Sequence, residues 1–432
     1  MTPRAHYPHV YTPKPAAGWS IYAQPRRRSA AVPTTAAALL WPWLTASPPR
    51  AGGQVIGALA SGAAFAYDPH DWYEAGFTNA MNAMLFGATG AGKSTTACAM
   101  TLRSLARGDR KITVIDGKKD WARYADAYGG RVVRFDRNTA INLLEVPDGT
   151  DAAAAAQVRF RAARSLVSLA AERDLTDREV WALERAVHDL EGRAPLLEDL
   201  LRIVTAGAST DDVERAMLRE AGATMIPALS RLTSPRGGFG PLLNRQSTVS
   251  FDAAADLFVV SLEDLVFADE LRTAALIAVA SWVDAAVTGN TQRRLLVLDE
   301  AWQLLKQPQA AIAHAERLKL ARANNLANLL ILHRPGDLTS FGLPGSAHRE
   351  AVRSVFGLSD TIAIGRLDHA DAADLARMLN LNGEEARLIS AHPTGRFLWS
   401  VHTAAQGRRS WVVQTQRTPW ETELWNTKAV AQ

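Results

Sequence analysis

The chain is short of cysteine, of long apolar runs and of blocks of like charge, and each shortage removes a class of protein. Cys98 is the only cysteine in 432 residues, which excludes an intramolecular disulfide framework and fits a reducing, cytoplasmic compartment. The longest uncharged stretch, 29–49, is broken by Pro33, Pro42, Pro48 and Pro49. Its apolar run 36–44 is too short to span a bilayer. The first thirty residues mix Pro, His, Arg and Tyr around no apolar centre, so no signal peptide is read there. Ten histidines lie scattered without paired metal-ligand spacing, and no zinc site is expected. A formal charge of +4 permits contact with nucleic acid or an anionic membrane surface but argues for neither.

What is present describes a folded protein. Hydrophobic residues make up 47% and charged residues 21%, enough to bury a full core. Residues 1–50, rich in Pro and Ala and carrying Arg26-Arg27-Arg28, read as an irregular N-terminal segment. The apolar runs 54–59 and 63–67, separated by Ser61-Gly62, predict a β-hairpin ending at Asp68-Pro69. Strands are then expected at 83–86, 111–115, 131–135, 257–262, 295–298, 328–332 and 361–364, with a closing pair at 396–402 and 410–414. Helices are expected at 94–107, 269–287 and 370–379. Strands alternating with helices predict a mostly parallel α/β sheet covered on both faces. Residues 150–235 differ, being almost all helix. There Thr176-Asp177-Arg178-Glu179 is a capping box opening a helix with apolar Val180, Leu183, Val187 and Leu190. The organisation expected is an irregular segment 1–50, an α/β domain 51–149 and 236–432, and an all-α insertion 150–235.

Two motifs carry chemistry. Gly87-Ala88-Thr89-Gly90-Ala91-Gly92-Lys93-Ser94, between a strand and a helix, satisfies the full phosphate-loop pattern. Its glycines let successive N–H groups point inward as an anion nest, and the positive end of the next helix adds to that field. Lys93 is expected to reach the β- and γ-phosphates, Ser94 to ligate Mg2+, and Thr95 to complete the nucleotide contact. The second motif, Leu295-Leu296-Val297-Leu298-Asp299-Glu300, is an apolar strand delivering two carboxylates to the crevice where such sheets bind ligands. Asp299 would hold the metal through water and Glu300 would orient and deprotonate the attacking water. An acidic helix cap is the plain alternative for this pair. A sensor is expected on the neighbouring strand, where His333 follows Leu332; a satisfied loop histidine is the competing reading. Arg334, Arg353 and Arg366 are candidate arginine fingers, Arg366 being the one selected. Neither Asn-Lys-x-Asp nor Leu-Ser-Gly-Gly-Gln occurs, which argues against a GTPase and a transporter cassette. ATP with Mg2+ is the expected ligand, and hydrolysis the expected reaction.

The order of these motifs resembles the ATPase domain of TraC-type conjugative-transfer and type IV secretion ATPases, in the HerA–FtsK superfamily. The resemblance runs from about Gly52 to Lys428. It rests on the hairpin, on Ile115-Asp116-Gly117-Lys118-Lys119-Asp120, on Ile141-Asn142 and on Gly237-Gly238-Phe239-Gly240-Pro241-Leu242-Leu243. Most specific is Asp299-Glu300-Ala301-Trp302-Gln303-Leu304-Leu305; Trp399, Pro419, Glu421 and Thr427 match the family's tail. The resemblance implies a RecA-like P-loop fold and a ring-forming, hexameric motor at the cytoplasmic face of a membrane-spanning channel. It also implies channel or docking proteins as partners. The family usually has Thr-Gln where this chain has Leu332-His333, and a large N-terminal docking domain where this chain has residues 1–50. Transfer or assembly of a secretion apparatus is the expected role. The alternative is a DNA-translocating motor, which a salt-sensitive basic channel would mark.

Overall fold

A computed structural model of the chain describes residues 48–117, 120–136, 138–146, 151–192, 194–207, 211–236, 238–262, 269–287, 292–333 and 345–425. The expected irregular segment as far as residue 47, Lys118, Lys119, Gly237, Arg334, Thr427 and Lys428 lie outside the described residues.

The strands are β1 (Gln54–Leu59), β2 (Ala64–Tyr67), β3 (Asn82–Phe86), β4 (Lys111–Asp116), β5 (Arg131–Arg134) and β6 (Leu257–Ser261). They continue as β7 (Arg294–Leu298), β8 (Leu326–Leu332), β9 (Thr361–Ile364), β10 (Arg396–Thr403) and β11 (Gly407–Thr415). Among the described residues all eleven join one sheet in the order β2-β1-β11-β10-β9-β3-β8-β7-β4-β6-β5. From β9 to β5 every pairing is parallel. Beyond β9 the sheet turns antiparallel, because the N-terminal hairpin and the C-terminal hairpin join through β1 and β11. The sequence showed each hairpin; their union is a long-range pairing that no local pattern announces.

Alternate side chains of each central strand face opposite layers. Met84 and Phe86, Leu296 and Leu298, Leu330 and Leu332 point into one core, shared with the helices Asp269–Val287 and Ala347–Gly357. Leu85, Val297, Leu329 and Ile331 point into the other, against Ala97, Cys98 and Met100 of the helix Lys93–Thr101 and Tyr124 of the helix Asp120–Tyr128. Burial on this second face pushes the Cys98 thiol up. Phe65, Tyr67, Trp72, Trp399 and Trp411 extend it under the antiparallel strands, with Phe65 and Trp399 ring centroids 4.8 Å apart.

The helices between Ala152 and Thr233 stack on the first face, and Leu166, Leu183 and Leu200 belong to the same core as Phe86 and Leu298. The capping box of Thr176 and Glu179 is present, and Leu183, Val187 and Leu190 are buried below it. One expected helix is shorter: 94–107 is α-helical only to Thr101 and continues as a 3-10 turn, Leu102–Arg107. Thr101 Oγ donates to the Ala97 carbonyl at 2.7 Å, a side-chain bond that competes with the regular ladder.

Candidate functional site at the C-terminal edge of the sheet

Parallel register decides which residues meet. Phe86 is level with Leu332 and with Ile364, Leu298 with Leu330, and Ile115 with Leu298. The chain beyond those positions therefore leaves the sheet along one edge, bringing Gly87, His333, Asp299 and Asp116 into the crevice where open α/β sheets bind ligands. The strand β8, which His333 directly follows, lies between the strands that lead into Gly87 and Asp299.

The loop Gly87–Ser94 turns on Gly90 (φ +77°) and Gly92 (φ +95°), both in the left-handed region. A Cβ on Gly92 would stand 2.8 Å from the backbone nitrogen of Gly395, so the position admits glycine alone. The helix that starts at Lys93 has no side-chain cap, leaving its positive end to the loop's interior. Thr89 and Gly90 are exposed, and Ser94 and Thr95 are half-buried at the helix start. The remaining loop groups are tied from outside. Ala88 N–H donates to the Arg366 carbonyl at 2.8 Å, Gly395 N–H to the Ala91 carbonyl at 2.8 Å, and Thr394 Oγ to the Gly90 carbonyl at 3.0 Å. The turn Pro393–Gly395 thus buttresses the loop from outside. Lys93 is buried; its Nζ donates to the carbonyls of Gly87 (2.5 Å) and Ala88 (3.2 Å) and reaches Nδ1 of His333 at 3.0 Å.

Asp299 and Glu300 are both buried, yet their surroundings differ. Asp299 Oδ2 accepts from the indole Nε1 of Trp121 at 2.9 Å, and its Oδ1 accepts from the Glu300 N–H at 3.0 Å. Trp121 is itself fixed by its backbone N–H, which donates to Asp116 Oδ2 at 2.9 Å. Glu300 sits at φ +62°, a left-handed conformation that costs a non-glycine residue about 1 kcal/mol or more. Its Oε2 accepts from Trp302 Nε1 at 2.6 Å and its Oε1 lies 2.7 Å from His333 Nε2. Gly117 packs on it, since a Cβ there would meet the Glu300 side chain at 3.3 Å.

The structure thus gathers Gly87–Ser94, Lys93, Asp299, Glu300 and His333 at one edge. Arg366 touches the loop through its backbone, and its side chain is exposed; Arg353 is exposed on the helix Ala347–Gly357. Sequence reasoning missed Trp121 and the turn Pro393–Gly395. A lone Trp five residues after Asp116 and a Pro-x-Gly before a strand are the signals available. The residues fit a magnesium nucleotide: a glycine nest with an uncapped helix for phosphates, and hard oxygen donors, Ser94 and Asp299, for the metal.

No protein-family model matches the chain, and no curated protein sequence matches it significantly. Solved structures do. VirB4 of Thermoanaerobacter pseudethanolicus is 20% identical, with a TM-score of 0.69 over 88% of this chain and 100% of that one. The plasmid coupling protein TrwB, in complex with a non-hydrolysable ATP analogue, is 13% identical, with a TM-score of 0.54 over 87% of this chain and 92% of that one. TrwB in complex with ADP and Mg2+ is 15% identical, with a TM-score of 0.53 over the same shares. The chain has the fold of these proteins, a RecA-like P-loop α/β sheet.

Proposed function

We propose that the protein is an ATPase that powers substrate transfer or apparatus assembly in a type IV secretion or conjugation system. One observation carries the reading: parallel register brings a glycine loop with Lys93 and two buried carboxylates, Asp299 and Glu300, to one edge. In this reading Lys93 binds the β- and γ-phosphates, and Ser94 with Asp299 holds Mg2+, which would neutralise phosphate charge. Glu300 takes the proton of the attacking water, and His333 faces the γ-phosphate side. Glu300 is held by indole and imidazole nitrogens, a setting that orients a carboxylate without displacing it from the crevice.

The likeness to VirB4, at a higher TM-score than that to TrwB, favours secretion. A DNA-translocating motor is the second reading, because the coupling proteins share the fold. The proposal places the chain as a hexameric ring on the cytoplasmic side of a membrane channel, with Arg366 as finger between subunits. Channel or docking proteins are the proposed partners; among the described residues no helix is long and apolar enough to cross a membrane.

The test is steady-state ATP turnover of the purified protein, with and without double-stranded DNA across a salt series, alongside its mass with and without ATP. Turnover unmoved by DNA and rising with protein concentration supports the secretion ATPase. Strong DNA stimulation that fades with salt would replace it with the DNA motor. No turnover would overturn both.

A further inference from the structure

Lys93, His333 and Glu300 form a continuous hydrogen-bonded chain from the phosphate loop to the carboxylate that follows β7. Lys93 Nζ lies 3.0 Å from His333 Nδ1, and His333 Nε2 lies 2.7 Å from Glu300 Oε1. An ammonium only donates, so Nδ1 accepts; the ring hydrogen is then on Nε2, where it is donated to the carboxylate. Imidazole accepts at one end and donates at the other, with two rigid nitrogens at the spacing the chain needs. Glu300 Oε2 meanwhile takes the indole hydrogen of Trp302 at 2.6 Å, so a shift of the carboxylate alters the surroundings of an identifiable tryptophan.

We infer that His333 is a positioning residue that couples phosphate contact at Lys93 to the placement of Glu300, so that a triphosphate and a diphosphate leave Glu300 differently held. The inference rests on the ATPase reading. A terminal phosphate oxygen competes for the same ammonium hydrogens that Lys93 gives to His333 and to the Gly87 and Ala88 carbonyls. When Nζ turns toward that oxygen, Nδ1 loses its donor and the ring changes its grip on Oε1. A diphosphate, ending one phosphate earlier, draws Nζ less far. Glu300 is therefore set for catalysis by the γ-phosphate itself.

The experiment uses the full chain labelled with 5-fluorotryptophan, with the Trp302 fluorine signal assigned by Trp302→Phe. Spectra are taken with Mg2+ and ADP and with Mg2+ and a non-hydrolysable ATP analogue; kcat and KM for ATP are measured in parallel. In the parent the Trp302 signal differs between the two nucleotides. His333→Ala, and His333→Asn, which is too short to reach Glu300, bring the two signals together. They also lower kcat about tenfold or more and leave KM within about twofold. His333→Gln, whose amide both accepts and donates, restores part of both. Signals that stay separate in the Ala and Asn variants, an unchanged kcat, or a rise in KM alone would overturn the coupling while leaving the ATPase reading intact. A parent that neither binds nor hydrolyses ATP overturns the reading and the inference together.

Discussion

At the N-terminal edge of the sheet, buried charge is matched by opposite charge. Arg110, its side chain 1% exposed, bonds Asp68 at 3.1 Å, Asp71 at 2.7 Å and Asp109 at 2.6 Å; Arg107 also holds Asp71, and Arg293 holds Glu74 at 2.5 Å. At the opposite edge, partners of Lys93, Asp299 and Glu300 include main-chain carbonyls, two indoles and an imidazole. The first arrangement satisfies charges with one another, which fixes the chain. The second holds them with main-chain, indole and imidazole groups that aim them at the crevice. The sheet thus separates the ion network that holds the fold from the proposed phosphate site by some five residues of strand, the length of β3 or β7.

Substitutions at the two edges should therefore move different measurements. Arg110→Ala leaves Asp68 buried with its principal partner gone. A loss of about 3–5 kcal/mol in unfolding free energy is expected by denaturant titration, with kcat per folded molecule near that of the parent. A kcat that fell in step with stability would blur the separation. Lys93→Ala reverses the pattern: turnover falls on the order of a hundredfold, about 3 kcal/mol of transition-state stabilisation, while the thermal midpoint stays within a few degrees. Glu300→Gln should match that loss in rate and keep nucleotide binding. Turnover as fast as the parent's would show that another group activates the water. Trp121→Phe removes the indole donor from Asp299 and should weaken activity by roughly 1–2 kcal/mol. It should also raise the Mg2+ concentration needed for tight nucleotide binding, read by titrating the metal against a fluorescent analogue; an unchanged requirement would reduce Trp121 to packing.

Sequence alone made one edge far more legible than the other. The loop Gly87–Ser94 and the strand ending in Asp299 are local patterns, each fixed by a run of neighbours, and parallel pairing does the rest. The central strands were readable to within two residues because they are apolar on both faces. Trp121 and the turn Pro393–Gly395 were not legible as site elements, since their partners lie 178 and 304 residues away in sequence for the Trp121–Asp299 and Thr394–Gly90 bonds. Glu300's left-handed backbone was also hidden, because nothing in an apolar strand followed by Asp-Glu marks a positive φ. The ion network around Arg110 draws on three separate segments, and surface-like charges such as Asp68 and Asp71 give no sign that they are gathered beneath the sheet.

The smallest effect expected from the comparison is one of pH, and it tests whether opposite charge really governs the N-terminal edge. Burial by itself would raise the Asp68 carboxyl. The hydrogen bonds from Arg110, with those from the following helix's backbone, outweigh burial and hold it below the ordinary carboxylate value. A carboxyl depressed in the folded state stabilises the protein above its unfolded pKa, about 3.9, and loses that contribution as pH falls through the lower folded value. The parent should therefore lose stability below about pH 4. In Arg110→Ala the burial penalty is opposed only by the helix cap, so the folded carboxyl moves upward and the acid-side loss from Asp68 shrinks. Unfolding free energies at pH 7 and pH 3.5 should then differ less in the variant than in the parent. An undiminished difference in the variant would mean that the helix cap, and not Arg110, keeps Asp68 charged.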